Sequence, residues 1–155
     1  MNVYSYRADI DGLRAVSALS IFAFHLGFSN FSGGFVGVDI FFVISGYLII
    51  PRIVDGLEIG TFSLADFFER RIRRILPALL LILIFSTVVG YFILGPREYT
   101  EFSASALAAL VFGANIFFND RSDYFADAAH QKPLLHMWSL GVEEQFYILI
   151  PLILM

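Results

Sequence analysis

The sequence predicts an all-α protein, a polytopic bundle of transmembrane helices, and three observations predict it. Hydrophobic residues make up 58% of the 155 and charged residues only 15%, against about half and about a quarter in soluble domains. The apolar residues, which give a mean hydropathy of +0.76, are gathered into runs that approach the roughly 20 residues needed to cross a bilayer. Eighteen Phe and seven Tyr suit a lipid-facing surface with aromatic interfacial belts better than a small water-soluble core.

Four runs stand out, over residues 13–28, 35–51, 75–94 and 102–118. Hydrocarbon cannot hydrogen-bond backbone N–H and C=O groups, so a spanning segment must satisfy them internally, and helices do so. None of the runs alternates with period two, which disfavours strands. The expectation is four spanning or re-entrant helices, followed by a truncated fifth that opens near Phe146 and runs to Met155. Residues 1–155 therefore read as one incomplete transmembrane domain, the N-terminal portion of a longer protein. Asp9, Asp11 and His25 argue that the first run is an uncleaved helix and not a signal peptide.

Charge sets the expected topology. The connection over residues 52–74 holds Arg52, Arg70, Arg71, Arg73 and Arg74, and the positive-inside rule places it in the cytoplasm. The N-terminus, with Arg7 and Arg14, then also lies inside, and residues 29–34 form a tight outer turn. Residues 119–140 are mixed in charge and leave their own side open. The net charge of −4 sits mostly in loops and helix ends, and nothing in it points to a nucleic-acid partner. Without cysteine there are no disulfides, thiolate metal sites or Cys nucleophile.

Ionisable side chains inside spanning segments are costly and default to functional hypotheses. Arg14 and His25 are eleven residues apart, about three helical turns, so they share a face, with Asp11 within roughly 60° of both. The rise between them is about 16 Å, which places Arg14 near the cytoplasmic surface and His25 well into the membrane. A neutral imidazole can take a proton from a hydroxyl and return it. The alternative is a histidine that hydrogen-bonds across the bundle as structural glue.

Glu69-Arg70-Arg71-Ile72-Arg73-Arg74 reads either as a topology anchor at lipid headgroups or as a phosphate clamp. Guanidinium forks bind phosphate oxygens bidentately, and Arg70/Arg73 and Arg71/Arg74 are each about one turn apart. In Trp138-Ser139-Leu140-Gly141-Val142-Glu143-Glu144-Gln145-Phe146-Tyr147, Glu143 and Tyr147 stand at i, i+4 and share a face. One carboxylate can then point into the bundle. Asp39 is a further acid in an apolar run, and Gly34, Gly37 and Gly46 permit close helix approach. His130 and His136 lack partners at metal-ligand spacing and read as loop or interfacial residues; no metal site is expected.

These elements together resemble the acyltransferase 3 family, and most closely its bacterial membrane O-acetyltransferases of O-antigen and other surface glycans. The resemblance rests on Asp11-Gly12-Leu13-Arg14-Ala15 with His25, on the run from Phe35 to Ile49, on the Arg-rich segment from Arg70 to Pro77, and on the stretch from Leu134 to Tyr147. It covers nearly the whole chain. It implies that His25 is catalytic base or acyl relay, with Arg14 its Arg-x10-His partner. Arg71 and Arg74, or Arg70 and Arg73 on bare spacing, would bind the phosphates of acetyl-CoA or another acyl-CoA donor. Glu143 would position His25 or the acceptor sugar. Asp11, Asp39, Tyr147 and His136 would support the substrate.

The implied function is transfer of an acyl group, acetyl by expectation, to a hydroxyl of a cell-surface glycan such as lipopolysaccharide O-antigen. The setting would be the bacterial inner membrane, with membrane lipid, further C-terminal helices and, in many members, an SGNH-type domain as partners. A proton-coupled secondary transporter using Asp11, Arg14, His25 and Asp39 is the alternative.

Overall fold

A computed structural model describes residues 7–121 and 132–155, apart from the side chains of Asp120 and Arg121. His130 and the acidic loop positions Asp123 and Asp127 lie outside the described residues. Those residues form six helices with no strand among them: α1 (Ala8–His25), α2 (Gly37–Glu58), α3 (Leu64–Ile93), α4 (Pro96–Leu110), α5 (Ala114–Arg121) and α6 (Met137–Leu154). The chain divides into two compact units, Met1–Asp55 and Gly56–Met155.

In the first unit, α1 meets the start of α2 through small residues. Ile10 and Ser17 of α1 are buried, whereas Leu13, Val16, Leu19, Phe22 and Leu26 are exposed. That is the reverse of a water-soluble helix and the pattern expected where lipid is the solvent. Two 3₁₀ turns, Ser29–Phe31 and Gly34–Val36, return the chain to α1. A β-carbon on Gly34 would lie 2.2 Å from the Ser20 carbonyl oxygen, and one on Gly37 would lie 2.6 Å from that of Ser17. No other residue fits either place, so these glycines fix how the start of α2 meets α1.

The second unit packs α3, α4, α5 and α6 around Leu79, Leu83, Phe102, Ala109, Ala114, Phe118, Leu134 and Met137. Ser63 caps α3 by accepting from the Asp66 amide, and Glu98 closes the start of α4 by accepting from the Gly95 amide. Between α4 and α5 the chain turns through Phe112, whose φ is +55°. The turn is held by a reciprocal amide clasp. Asn115 Nδ2 donates to Gln145 Oε1, and Gln145 Nε2 donates to both Asn115 Oδ1 and the Phe112 carbonyl, each at 2.9 Å. Gly141, one turn earlier on α6, lets the clasp close, since a β-carbon there would come within 2.8 Å of Asn115 Oδ1.

Several sequence expectations change. Helices long and apolar enough to span number three among the described residues: Gly34–Glu58, Leu64–Ile93 and Met137–Leu154. The first run forms α1, but Asp9, Asp11, Arg14 and His25 interrupt its 18 residues, and it is not one of the three. The run at 102–118 is not one span, because the Phe112 turn divides it into α4 and α5. The connection at 52–74 is mostly helical: α2 continues through Pro51 and Arg52 to Glu58, α3 begins at Leu64, and Arg70, Arg71, Arg73 and Arg74 ride on α3. The last helix starts at Met137 and not near Phe146, so the Glu143–Tyr147 motif lies within it.

Gly34→Ala tests the tightest of these contacts. A β-carbon driven into backbone cannot be relieved by a rotamer change, so the substitution should cost about 1–3 kcal/mol. A thermal midpoint several degrees lower in the purified full-length protein is expected, whereas Gly33→Ala, which meets nothing within 4 Å, should leave it in place.

Candidate functional site

Within the first unit, one continuous helix carries Asp11, Arg14 and His25, as their register requires. Arg14 is half-buried, and Asp11 and His25 are exposed. His25 is the last residue of α1, so it stands at the helix end and not in mid-helix. Its ring is fixed by a 2.8 Å hydrogen bond between Nδ1 and the Ile21 carbonyl and by an edge contact with Phe24, centroids 5.4 Å apart. A carbonyl oxygen can only accept, so Nδ1 carries the hydrogen. In the neutral ring Nε2 is then left with its lone pair. The backbone thereby selects the tautomer suited to taking a proton.

Asp39 lies exposed in the first turn of α2, where the helix dipole favours a carboxylate. That accounts for an acid in an apolar run without a catalytic role. Sequence reasoning passed over Arg7. Its Nε and Nη2 donate to the Asp9 carboxylate at 2.9 and 2.6 Å, and its Nη1 donates to the Tyr47 hydroxyl at 3.2 Å. This fork ties the entry of α1 to the middle of α2.

The second unit assembles the arginine segment and the Glu-Glu motif. Residues at four-residue steps on α3, Phe67, Arg71, Ile75, Leu79 and Leu83, make a ridge that is buried or half-buried throughout. Arg71 belongs to it, while Arg70, Arg73 and Arg74 are exposed. The Arg71 guanidinium lies 3.3 Å from the Tyr147 ring centroid on α6 and 5.6 Å from that of Phe67. The Tyr147 hydroxyl donates to Glu143 Oε1, so the i, i+4 pair forms as its spacing predicts. Arg73 pairs with Glu69 at 2.6 Å on the outside of α3.

The expected Arg71/Arg74 and Arg70/Arg73 pairs are thus not equivalent, since Arg71 is committed to an aromatic face. Glu143 is held on Tyr147, within its own unit. His136 occupies the N-cap of α6, its carbonyl accepting from the Ser139 hydroxyl at 3.0 Å. Glu144 is buried, at 8% exposure, and its Oε1 has no hydrogen-bond partner among the described residues. The sequence signal for it was the second of two adjacent acids. Among the described residues no cluster of His, Asp and Glu could hold a metal ion.

Spanning helices, an oriented imidazole and an arginine-bearing helix facing paired carboxylates define a helical membrane protein with polar chemistry inside it. A family model described as an acyltransferase domain matches residues 7–155. The chain belongs to that family, acyltransferase 3. It is similar to YrhL of Bacillus subtilis (strain 168), provisionally named a peptidoglycan O-acetyltransferase, with 43% identity over 97% of this chain and 24% of the relative. The O-acetyltransferase OatA of Staphylococcus aureus (strain NCTC 8325 / PS 47) is 39% identical over 96% of this chain and 25% of its own length. The peptidoglycan O-acetyltransferase OatA of Listeria monocytogenes (serovar 1/2a, strain EGD-e) is 37% identical over 97% and 24%. The chain spans about a quarter of the length of these relatives. No solved structure gives a significant match.

The Arg7 fork makes one electrostatic prediction. Its hydrogen bonds hold the Asp9 carboxyl at about 2, below the ordinary 3.8, so the pair persists above the usual carboxylate range and is lost only as pH falls through about 2. Carboxyl NMR of Asp9 in Arg7→Ala should show its titration returned toward pH 4. Being exposed, the pair should add little to stability.

Proposed function

We propose that this chain is part of a membrane O-acyltransferase that moves an acyl group, acetyl by preference, from acyl-CoA to a hydroxyl of a cell-envelope glycan in the bacterial cytoplasmic membrane. The observation that carries the reading is the His25 hydrogen bond to the Ile21 carbonyl, which supports an Nε2 base one helix face from Arg14. In the reaction Nε2 takes the acceptor hydroxyl's proton as the oxygen attacks the thioester carbonyl. The C–O bond forms, the C–S bond breaks, and the proton passes to the leaving thiolate. Exposed Arg70, Arg73 and Arg74 are suited to the donor's phosphates, with Arg73 first leaving Glu69.

The names of the relatives favour peptidoglycan as acceptor over lipopolysaccharide O-antigen. Family membership likewise supports acyl transfer over the proton-coupled transporter. The N-terminus is assigned to the cytoplasm, as the arginines of α3 suggest. On that orientation α1 carries the chain from Arg14 toward the outer face, where His25 would meet the acceptor. The relatives' additional length leaves room for the further helices and the SGNH-type domain that the resemblance implies.

His25→Ala in the full-length protein should lower acetylation of isolated peptidoglycan by roughly 100-fold or more, the scale of a lost general base. Ester-linked acetate released by mild alkali measures it. Wild-type acetate levels at equal expression would refute the role of His25.

A further inference from the structure

Resting on the acyltransferase reading, we propose that Glu144 is a positioning residue whose buried carboxylate holds Arg71 against Tyr147, which divides the arginine cluster into one internal strut and an outward donor-binding set. Four observations carry this. Arg71 is the member of the cluster that is not exposed. Its Cζ lies 3.3 Å over the Tyr147 ring centroid, a contact with the π face that leaves guanidinium N–H groups for a carboxylate. Glu143, the nearer acid in sequence to the helix start, is engaged by the Tyr147 hydroxyl. Glu144 is buried beside it with Oε1 unpartnered, one helical turn before the Tyr147 ring that Arg71 covers.

A buried carboxylate in an apolar bundle is costly unless a cation balances it. No lysine or arginine forms a direct ion pair with Glu144 among the described residues, so the balance comes through space from α3. The dependence is mutual. Arg71, on the inward ridge of α3, secures the ring whose hydroxyl Glu143 accepts from. The chain Glu144–Arg71–Tyr147–Glu143 therefore sets where the Glu143 carboxylate stands. Arg74, exposed and one turn further on, remains directed outward.

The test uses the full-length protein in detergent with acetyl-CoA as donor and soluble peptidoglycan fragments as acceptor. Glu144→Gln should lower kcat by roughly 10- to 100-fold, the scale of a misplaced reacting group, and leave the acetyl-CoA KM within about twofold. Glu144→Asp should recover part of kcat. Arg74→Ala should act on the donor, raising the acetyl-CoA KM about tenfold, as expected for one charged hydrogen bond. Thermal unfolding of Arg71→Ala, Glu144→Gln and the double variant supplies a readout that needs no turnover. The double variant should be no less stable than the worse single variant, because removing one charge strands the other.

Wild-type kinetics in Glu144→Gln, a raised donor KM in place of a lowered kcat, or additive losses in the unfolding cycle would overturn the proposal. Absence of acetyl transfer by the wild-type protein would overturn the acyltransferase reading itself. The unfolding cycle would then still decide whether Glu144 and Arg71 are coupled.

Discussion

Backbone polar groups within the membrane must be satisfied by the protein, because hydrocarbon offers no hydrogen bonds in exchange. The same solvent suits α1, with large apolar side chains outward, Ser17 inward, and Gly34 and Gly37 closing on it. It also explains why the polar side chains that do enter the bundle come in sets. Asn115 and Gln145 satisfy each other and the Phe112 carbonyl at the α4–α5 turn. His25 satisfies one ring nitrogen on its own helix. Arg71, Tyr147 and Glu143 satisfy one another in sequence.

The amide clasp has a consequence for the motif that follows it. Gln145 is flanked by Glu144 on one side and, two residues on, by Tyr147. Fixing Gln145 against α5 therefore fixes the rotation of α6, and with it the directions of both side chains. Gly141 makes that rotation possible by letting Asn115 approach. A stretch that reads as a catalytic motif is thus in part a packing motif. Its small residue and its amide orient the helix, and its acids and tyrosine take their directions from that orientation.

Much of this was legible in the sequence, for identifiable reasons. The register of Arg14 with His25 and of Glu143 with Tyr147 follows from 3.6 residues per turn, and both pairs lie on continuous helices. The split at Phe112 was not legible. Residues 102–118 are apolar apart from Ser103, Ser105 and Asn115, and the break depends on a positive φ stabilised by Gln145, more than thirty residues away. The arginine pairs posed a different difficulty. Spacing treats Arg70/Arg73 and Arg71/Arg74 alike, and only the ridge from Phe67 to Leu83 distinguishes Arg71. Arg7 was unreadable because its partner, Tyr47, lies on another helix.

The tautomer of His25 is the step at which fold becomes chemistry. A histidine four residues after a helix carbonyl can bond back to that carbonyl only through a nitrogen that bears hydrogen. The Ile21 carbonyl, part of the α1 ladder, has a second lone pair for this bond, just as the Leu13 and Val16 carbonyls earlier in α1 accept from the Ser17 and Ser20 hydroxyls. The helix backbone four residues back is therefore what orients the ring, and an oriented ring with one open lone pair is what a general base requires.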